Sequence, residues 1–227
     1  MGDRINIAID GPASSGKGTV ARMVAKTLGF AYIDSGAMYR AVALFSHREN
    51  ISWEDEESLS SLARRMSFAF SWSGSDLRII VGEEDVTGLL RNEAIGIGAS
   101  HVAVHPQVRA SLLARQREVA ALGGVVMDGR DIGSVVLPQA RLKVFLDASV
   151  SERARRRIHE IEKRGLVADH AKIEAEIMMR DEQDRNRSTA PLLQTADAVY
   201  VDTTGRTAEE AALEIVGLAQ ALIGDSA

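Results

Sequence analysis

Gly11-Pro12-Ala13-Ser14-Ser15-Gly16-Lys17-Gly18-Thr19 follows a short apolar run (Ile5, Ile7, Ala8, Ile9) and opens an amphipathic helical pattern. Those residue types in that order suit one task, the holding of a chain of phosphates. Backbone N–H groups must converge on a polyanion, so side chains must be absent where the chain turns, at Gly11 and Gly16. Lys17 adds a compact positive charge toward the outer phosphates, and the helix N-terminus behind it favours negative charge. The spacing fits the G-x4-G-K pattern of a phosphate-binding P-loop. In the general pattern a hydroxyl follows the Lys directly and holds Mg²⁺. Here Gly18 stands in that place and Thr19 brings the hydroxyl one residue later, so Mg²⁺ is expected to be held partly through water and carboxylates.

Several apolar segments end in a carboxylate, at Asp34, Asp128, Asp147 and Asp202. In a parallel sheet, ligands collect outside the carboxyl ends of the strands, yet Asp at a strand end is also an ordinary cap or turn former. The cap reading is preferred for Asp147 and Asp202. Asp128 runs straight into Gly129-Arg130-Asp131, and Asp34 precedes Ser35 on a helix whose polar face carries Arg40; these two carboxylates are candidates for a water-mediated contact with Mg²⁺. Arg180, Asp184 and Arg187 recur at i, i+4 and i+7 and so share a helical face. That spacing suits an exposed salt-bridge face, but it equally suits two guanidinium groups gripping a phosphate while the carboxylate accepts from a sugar hydroxyl. Arg153, Arg157 and Arg164 line a further face. By itself it reads as a solvated face paired with Glu160 and Glu162; in a kinase it would be a mobile lid that closes over the transferring phosphoryl group.

The totals narrow the field. At 227 residues and 45% apolar content the chain can bury a full α/β core, with or without an insert. Five of the 27 basic residues are Lys, which leaves 22 Arg, the side chain whose planar fork grips phosphate and carboxylate. A net charge of −5 and 4% aromatic residues disfavour a nucleic-acid-binding module, which needs a basic surface and exposed rings for stacking. The absence of Cys excludes disulfides, a thiolate nucleophile and Cys-ligated metal. The first residues lack the basic and small-residue features of a signal peptide, and no apolar stretch reaches membrane length, so a soluble, cytoplasmic protein without a membrane partner is expected. None of Lys17, Lys26, Lys143, Lys163 and Lys172 lies in an Asn- or Thr-Lys-x-Asp context, which argues against a guanine-reading switch.

Alternating apolar runs and amphipathic stretches predict a parallel sheet covered by helices. A helix is expected over 17–28, a strand over 30–33, and then a helix with Met38, Ala41, Val42 and Phe45 on one face. The rhythm changes after about residue 51. A helix over 53–66 precedes two antiparallel strands, 67–73 and 77–81, about the turn Ser73-Gly74-Ser75-Asp76, and two more helices follow, the second opened by Pro106. The core resumes with strands over 125–128 and 142–147, a long charged helical region over 150–187, a strand over 198–202 and a helix over 207–223.

Taken together, these segments resemble the bacterial cytidylate kinases, nucleoside-monophosphate kinases of the P-loop class. The carriers are IDGPASSGKGT at 9–19, IDSGAMYR at 33–40, DGRDIGSVV at 128–136, FLDAS at 145–149 and RDEQDRNR at 180–187. The P-loop alone implies only a phosphate-transfer fold; the later motifs, in order and with a long insert, are far more specific. The resemblance implies a three-layer α/β/α core with a parallel central sheet, made of 1–50 and 111–227, with a short helical lid at about 153–187. Residues 51–110 would be an inserted α+β subdomain that binds the monophosphate. It further implies transfer of a phosphoryl group from ATP, with Mg²⁺, to CMP or dCMP by a monomer. ATP would be held by Gly11, Ser14, Ser15, Gly16, Lys17, Gly18 and Thr19. The acceptor would meet Ser35, Arg40, Arg109, Arg130, Asp131, Arg180, Asp184 and Arg187, with Ser100 as a further pyrimidine contact. Of these, Arg109 and Asp131 would face the cytosine edge, Arg40, Arg130 and Arg180 the 5′-phosphate, and Asp184 with Arg187 the sugar. Lys17, Arg130, Arg180 and Arg157 would act on the transferring group.

Overall fold

The computed structural model describes residues 5–73, 76–163 and 165–224. Gly74 and Ser75 of the expected turn, and Arg164 of the expected arginine face, lie outside the described residues. The chain forms two compact units: one runs to Ala31 and resumes at Gly123, and the other spans Tyr32–Leu122.

The first unit is built on β1 (Ile7–Asp10), α1 (Lys17–Leu28), the start of β2 (Ala31–Asp34), β6 (Val125–Gly129), β7 (Leu142–Asp147), α6 (Val150–Lys163), α7 (His170–Asn186), β8 (Val199–Asp202) and α8 (Ala208–Gly224). β1 pairs in parallel with both β6 and β7, and β7 with β8. The strand order in this sheet is β2-β6-β1-β7-β8. Its edge at β2 is reached through the Ala31 N–H, which donates to the Gly124 carbonyl at 2.8 Å. β1 and β6 are buried along their whole lengths, which is why they read as unbroken apolar runs and not as alternating ones. Register places Asp10 beside Gly129 and Phe145. The loops after β1, β6 and β7 therefore leave the sheet at one end, where ligands collect in such folds. α1 packs on α8 and ends at Gly29, whose φ of 67° gives the left-handed cap.

Two details here depart from the expected pattern. The helical region over 150–187 is two helices, α6 and α7, packed on each other. The break falls at Gly165, with φ of 76°, and α7 restarts at Asp169, whose carboxylate accepts the Lys172 N–H at 3.1 Å. Beyond β6 the chain makes a π-helical turn, Ile132–Val136, for which the sequence carried no expectation.

The second unit carries α2 (Ser35–Arg48), α3 (Glu56–Arg65), the antiparallel strands β3 (Phe68–Ser73), β4 (Asp76–Val81) and β5 (Glu84–Asp85), α4 (Glu93–Val102) and α5 (Pro106–Ala120). α2 packs on α4 and α3 on α5. Met38, Val42, Leu59, Val102, Val108 and Leu112 are fully buried between these helices. With α2 and α5 included, this unit is wider than 51–110. Trp53 locks part of it: its indole N–H donates to Ser46 Oγ at 3.1 Å, and a Cβ on Gly98 would lie 2.5 Å from its ring.

Candidate active site

β1 delivers the chain into the P-loop at Gly11, where a Cβ would lie 2.0 Å from the Leu146 carbonyl oxygen. No side chain fits at that crossing. Ser14 (φ 58°) and Gly16 (φ 87°) then turn through left-handed conformations, and Gly16 leads into α1. Lys17 is buried, and its ammonium donates to the Pro12 carbonyl at 2.8 Å across the loop. Burial, and after it the charge of Arg130, pushes the Lys17 pKa down to about 7, while Asp128 and Asp184 pull the other way. Ser15 is fully buried and its Oγ has no hydrogen-bond partner. Thr19 is exposed at the helix start, its N–H bonded to the Gly16 carbonyl at 3.0 Å. Such a cradle of backbone donors with one buried ammonium can take a polyphosphate.

Arginines of α6 brace that loop from behind. Arg153 NH1 donates to the Ala13 carbonyl at 3.2 Å, and Arg156 NH1 to the Ser15 carbonyl at 3.0 Å. Arg156 also donates to the Thr203 carbonyl at 2.6 Å. The solvated reading of this helix face is therefore corrected for Arg153, which is 2% exposed and pairs with Asp181 of α7 at 2.6 Å rather than with a glutamate of its own helix. Spacing within α6 could not reveal this, because the partner lies on another helix. Arg157 keeps to the surface reading, with NH1 3.4 Å from Glu160.

The loop after β6 and the last turns of α7 assemble a second charged cluster in the same unit. Arg130 Nε donates to Asp184 Oδ2 at 2.6 Å, Arg187 NH1 lies 3.8 Å from Asp184 Oδ1, and Arg187 NH2 lies 3.5 Å from Asp131 Oδ1. Burial alone would raise the Asp184 pKa. Arg130 outweighs it through charge and hydrogen bond, Arg187 and Arg180 add to that, and the group is held below the ordinary carboxylate range. Arg130, Asp131, Arg180, Asp184 and Arg187 are thus brought together, with Arg130, Arg180 and Asp184 close enough to bias Lys17. Asp128 is buried at the end of β6. Asp10, which the sequence reading passed over, is buried too and accepts the Ile132 and Gly133 N–H groups, each at 2.7 Å. Its signal was present, as one more carboxylate ending an apolar run.

The second unit holds the other sequence-predicted residues. Asp34 caps α2 by accepting the Ala37 N–H at 3.0 Å, and its second oxygen accepts from Arg40 NH2 at 2.6 Å. Gly36 lies close beneath this pair: a Cβ there would lie 3.1 Å from Arg40 NH1. Ser35 is buried as the first residue of α2. Arg109 is buried as well, donating to the Ala103 carbonyl at 3.3 Å with its guanidinium 5.4 Å from the Tyr39 ring centre. Ser100 Oγ bonds back to the Gly96 carbonyl of its own helix at 3.4 Å. Among the described residues no three acidic or His side chains converge as a metal cage, and no helix is long and apolar enough to cross a membrane.

The chain matches known proteins over most of its length. A family model described as cytidylate kinase matches residues 7–221. The chain is similar to a cytidylate kinase of Neisseria meningitidis serogroup A, 50% identical over 213 residues that cover 92% of this chain and 94% of the relative. A cytidylate kinase of Geobacillus thermodenitrificans is 48% identical over 224 residues, covering 99% of this chain and 100% of the relative. One from Listeria monocytogenes serotype 4b is 46% identical over 225 residues, with coverage of 99% and 100%. Among solved structures, a gluconokinase from Sinorhizobium meliloti superposes with a TM-score of 0.52 at 17% identity, covering all of both chains. That likeness bears on the fold alone.

Proposed function

The chain belongs to the cytidylate kinase family, and from that premise we propose that it moves the γ-phosphoryl group of ATP to the 5′-phosphate of CMP or dCMP, giving CDP or dCDP and ADP. The observation that carries this reading is the cluster of Arg130, Asp131, Asp184 and Arg187 in the unit that bears the P-loop and Lys17. It offers forked cations for an acceptor phosphate, and carboxylates for the hydroxyl and amino groups of a cytidine nucleoside.

The acceptor phosphate is anionic near neutral pH, so its oxygen attacks the γ-phosphorus without a general base, and the bond from that phosphorus to the β-bridging oxygen breaks. Positioning and charge neutralisation then do the catalytic work. Gly11, Ser14, Ser15, Gly16, Gly18 and Thr19 cradle the donor phosphates, while Lys17 follows the charge that develops on them. Bound phosphate would draw the Lys17 pKa back up and keep the ammonium protonated. Arg130 and Arg180 hold the acceptor phosphate, a role the family resemblance also gives Arg40, and Arg157 of α6 would leave Glu160 to reach the transferring group. Asp184 and Arg187 hold the sugar. Asp131 accepts from the cytosine amino group, which uracil lacks; the family resemblance also assigns Arg109, Ser35 and Ser100 to the pyrimidine.

Mg²⁺ would arrive on the triphosphate and neutralise its oxygens. Asp128, buried near the end of β6 beside β1, fits a contact through one of the ion's waters. Asp34 fits less well, because both of its oxygens already serve Ala37 and Arg40. The reading carries with it a cytoplasmic monomer; sedimentation of the purified chain would check the oligomeric state. The test of function is coupled ADP release with ATP and Mg²⁺, run with CMP, dCMP, UMP, AMP, GMP and shikimate. Turnover confined to CMP and dCMP supports the proposal. Turnover with another acceptor keeps a P-loop kinase and removes the acceptor assignments.

A further inference from the structure

Asp10 ends β1 directly before Gly11 and is 6% exposed. One of its oxygens accepts the Ile132 N–H and the other the Gly133 N–H, each at 2.7 Å, across 122 and 123 residues of chain. No step of phosphoryl transfer calls on this carboxylate. We propose that Asp10 is a positioning residue for substrate choice, which holds the turn after Asp131 so that the Asp131 carboxylate meets the base of the acceptor in one orientation.

The geometry supports this in three ways. First, the opening N–H groups of any helical turn lack acceptors within it, and a planar carboxylate with one oxygen for each of two successive amides fixes both position and direction. Second, the Asp131 carbonyl is the anchor of the same turn, accepting from Val135 N–H at 2.9 Å and Val136 N–H at 3.1 Å. The peptide that follows Asp131 is thereby tied through both its carbonyl and its N–H, and the Asp131 side chain itself lies 3.5 Å from Arg187 NH2. Third, the contact is close-fitted over a glycine: a Cβ on Gly133 would lie 3.3 Å from Asp10 Oδ2 and 3.2 Å from Lys143 Cδ, and would press on both. Burying a carboxylate costs free energy, and desolvation pushes the Asp10 pKa up to about 6. The carboxylate offsets part of that cost by satisfying two buried N–H donors at once. Asn has the same shape but a single acceptor, and its amide N–H₂ would face an N–H donor.

The inference rests on Asp131 reading the base, so the test includes that residue. Wild type, D10N, D131N and the D10N/D131N pair are compared by kcat/KM for CMP and for UMP at saturating ATP, by KM for ATP and by thermal unfolding. D10N is expected to lower the CMP-to-UMP ratio about tenfold, with KM for ATP within about twofold, because discrimination by a buried hydrogen bond depends on its alignment. The double variant should then discriminate no worse than D131N alone, as expected when one residue acts through the other. A D10N enzyme that loses CMP and UMP turnover equally, or loses only thermal stability, overturns the proposal while leaving the reading of Asp131 intact. An unchanged ratio in D131N overturns both. If D10N does not fold, G133A carries the test, since its Cβ, 3.3 Å from Asp10 Oδ2, presses on the same contact without changing charge; a smaller loss of discrimination is expected, and an unchanged ratio overturns the role of Asp10.

Discussion

Arg153 and Asp181 meet through both nitrogens and both oxygens, NH1 to Oδ1 at 3.0 Å and NH2 to Oδ2 at 2.6 Å, with side chains only 3% and 6% exposed. The same guanidinium donates to the Ala13 and Ala148 carbonyls. One residue of α6 therefore joins the P-loop, the end of β7 and α7. Arg180, next to Asp181, and Asp184, one turn on, belong to the candidate acceptor cluster, so this pair ties the donor loop to the helix that carries them.

Removing one member of a buried pair leaves the other charge unpaired, which typically costs about 3–5 kcal/mol. Arg153→Met is accordingly expected to destabilise by that amount in urea unfolding. Adding Asp181→Asn should recover part of the loss, because no carboxylate then remains stranded. Simple additivity of the two changes would show that the pair is not coupled.

Lys17→Ala should lower kcat by at least about a hundredfold, the scale of losing a charged donor at the reacting group. Its fold should survive, since the residue lost in that change donates only to a loop carbonyl, Pro12. Circular dichroism and the coupled assay decide this together. Turnover near the wild-type rate would refute the P-loop assignment.

Two glycines provide a matched contrast. At Gly11 an added Cβ would press 2.0 Å from the Leu146 carbonyl, so Gly11→Ala must shift backbone and should cost about 3 kcal/mol together with most of the affinity for ATP. At Gly29, φ is 67° and nothing lies within 4 Å. Gly29→Ala should cost about 1 kcal/mol in stability and leave the kinetics unchanged. Unfolding curves and ATP titration calorimetry on both variants measure the difference.

Asp10 sets a pH dependence of stability with a defined sign. Its folded pKa of about 6 lies above the ordinary 3.8, so between those values the folded chain binds the proton more tightly than the unfolded one. Protonation therefore stabilises the fold as pH falls from about 6 toward 4, and ionisation withdraws that stability as pH rises. Asp10→Asn lacks this dependence. The stability difference between wild type and variant should accordingly shift in favour of wild type at pH 4.5 compared with pH 7.5. Urea unfolding at the two pH values tests this, and a shift of opposite sign would contradict the burial argument.

Much of the fold is written locally. The unbroken apolar run of β1, the glycine spacing of the P-loop and the periodicity of α1 and α2 each follow from neighbouring residues, because backbone conformation and one-sided burial are decided within a few turns. Arg180, Asp184 and Arg187 were legible in the same way, through type and spacing, whereas Arg130 and Asp131 took their expected roles from the family resemblance. Their pairing was not: Arg130 meets Asp184 across 54 residues and Arg187 meets Asp131 across 56. The inward turn of Arg153 toward Asp181 and the clamp of Asp10 on Ile132 and Gly133 are likewise outside any local pattern. An arginine on a charged helix looks solvated until the tertiary fold supplies Asp181, and a strand-end carboxylate looks like a cap until the sheet register sets Gly129 beside it. Residue type and spacing determined which chemistry this chain carries. Only the packing of distant segments decided which charges are buried, with what partners, and hence which of them brace the site and which face the substrate.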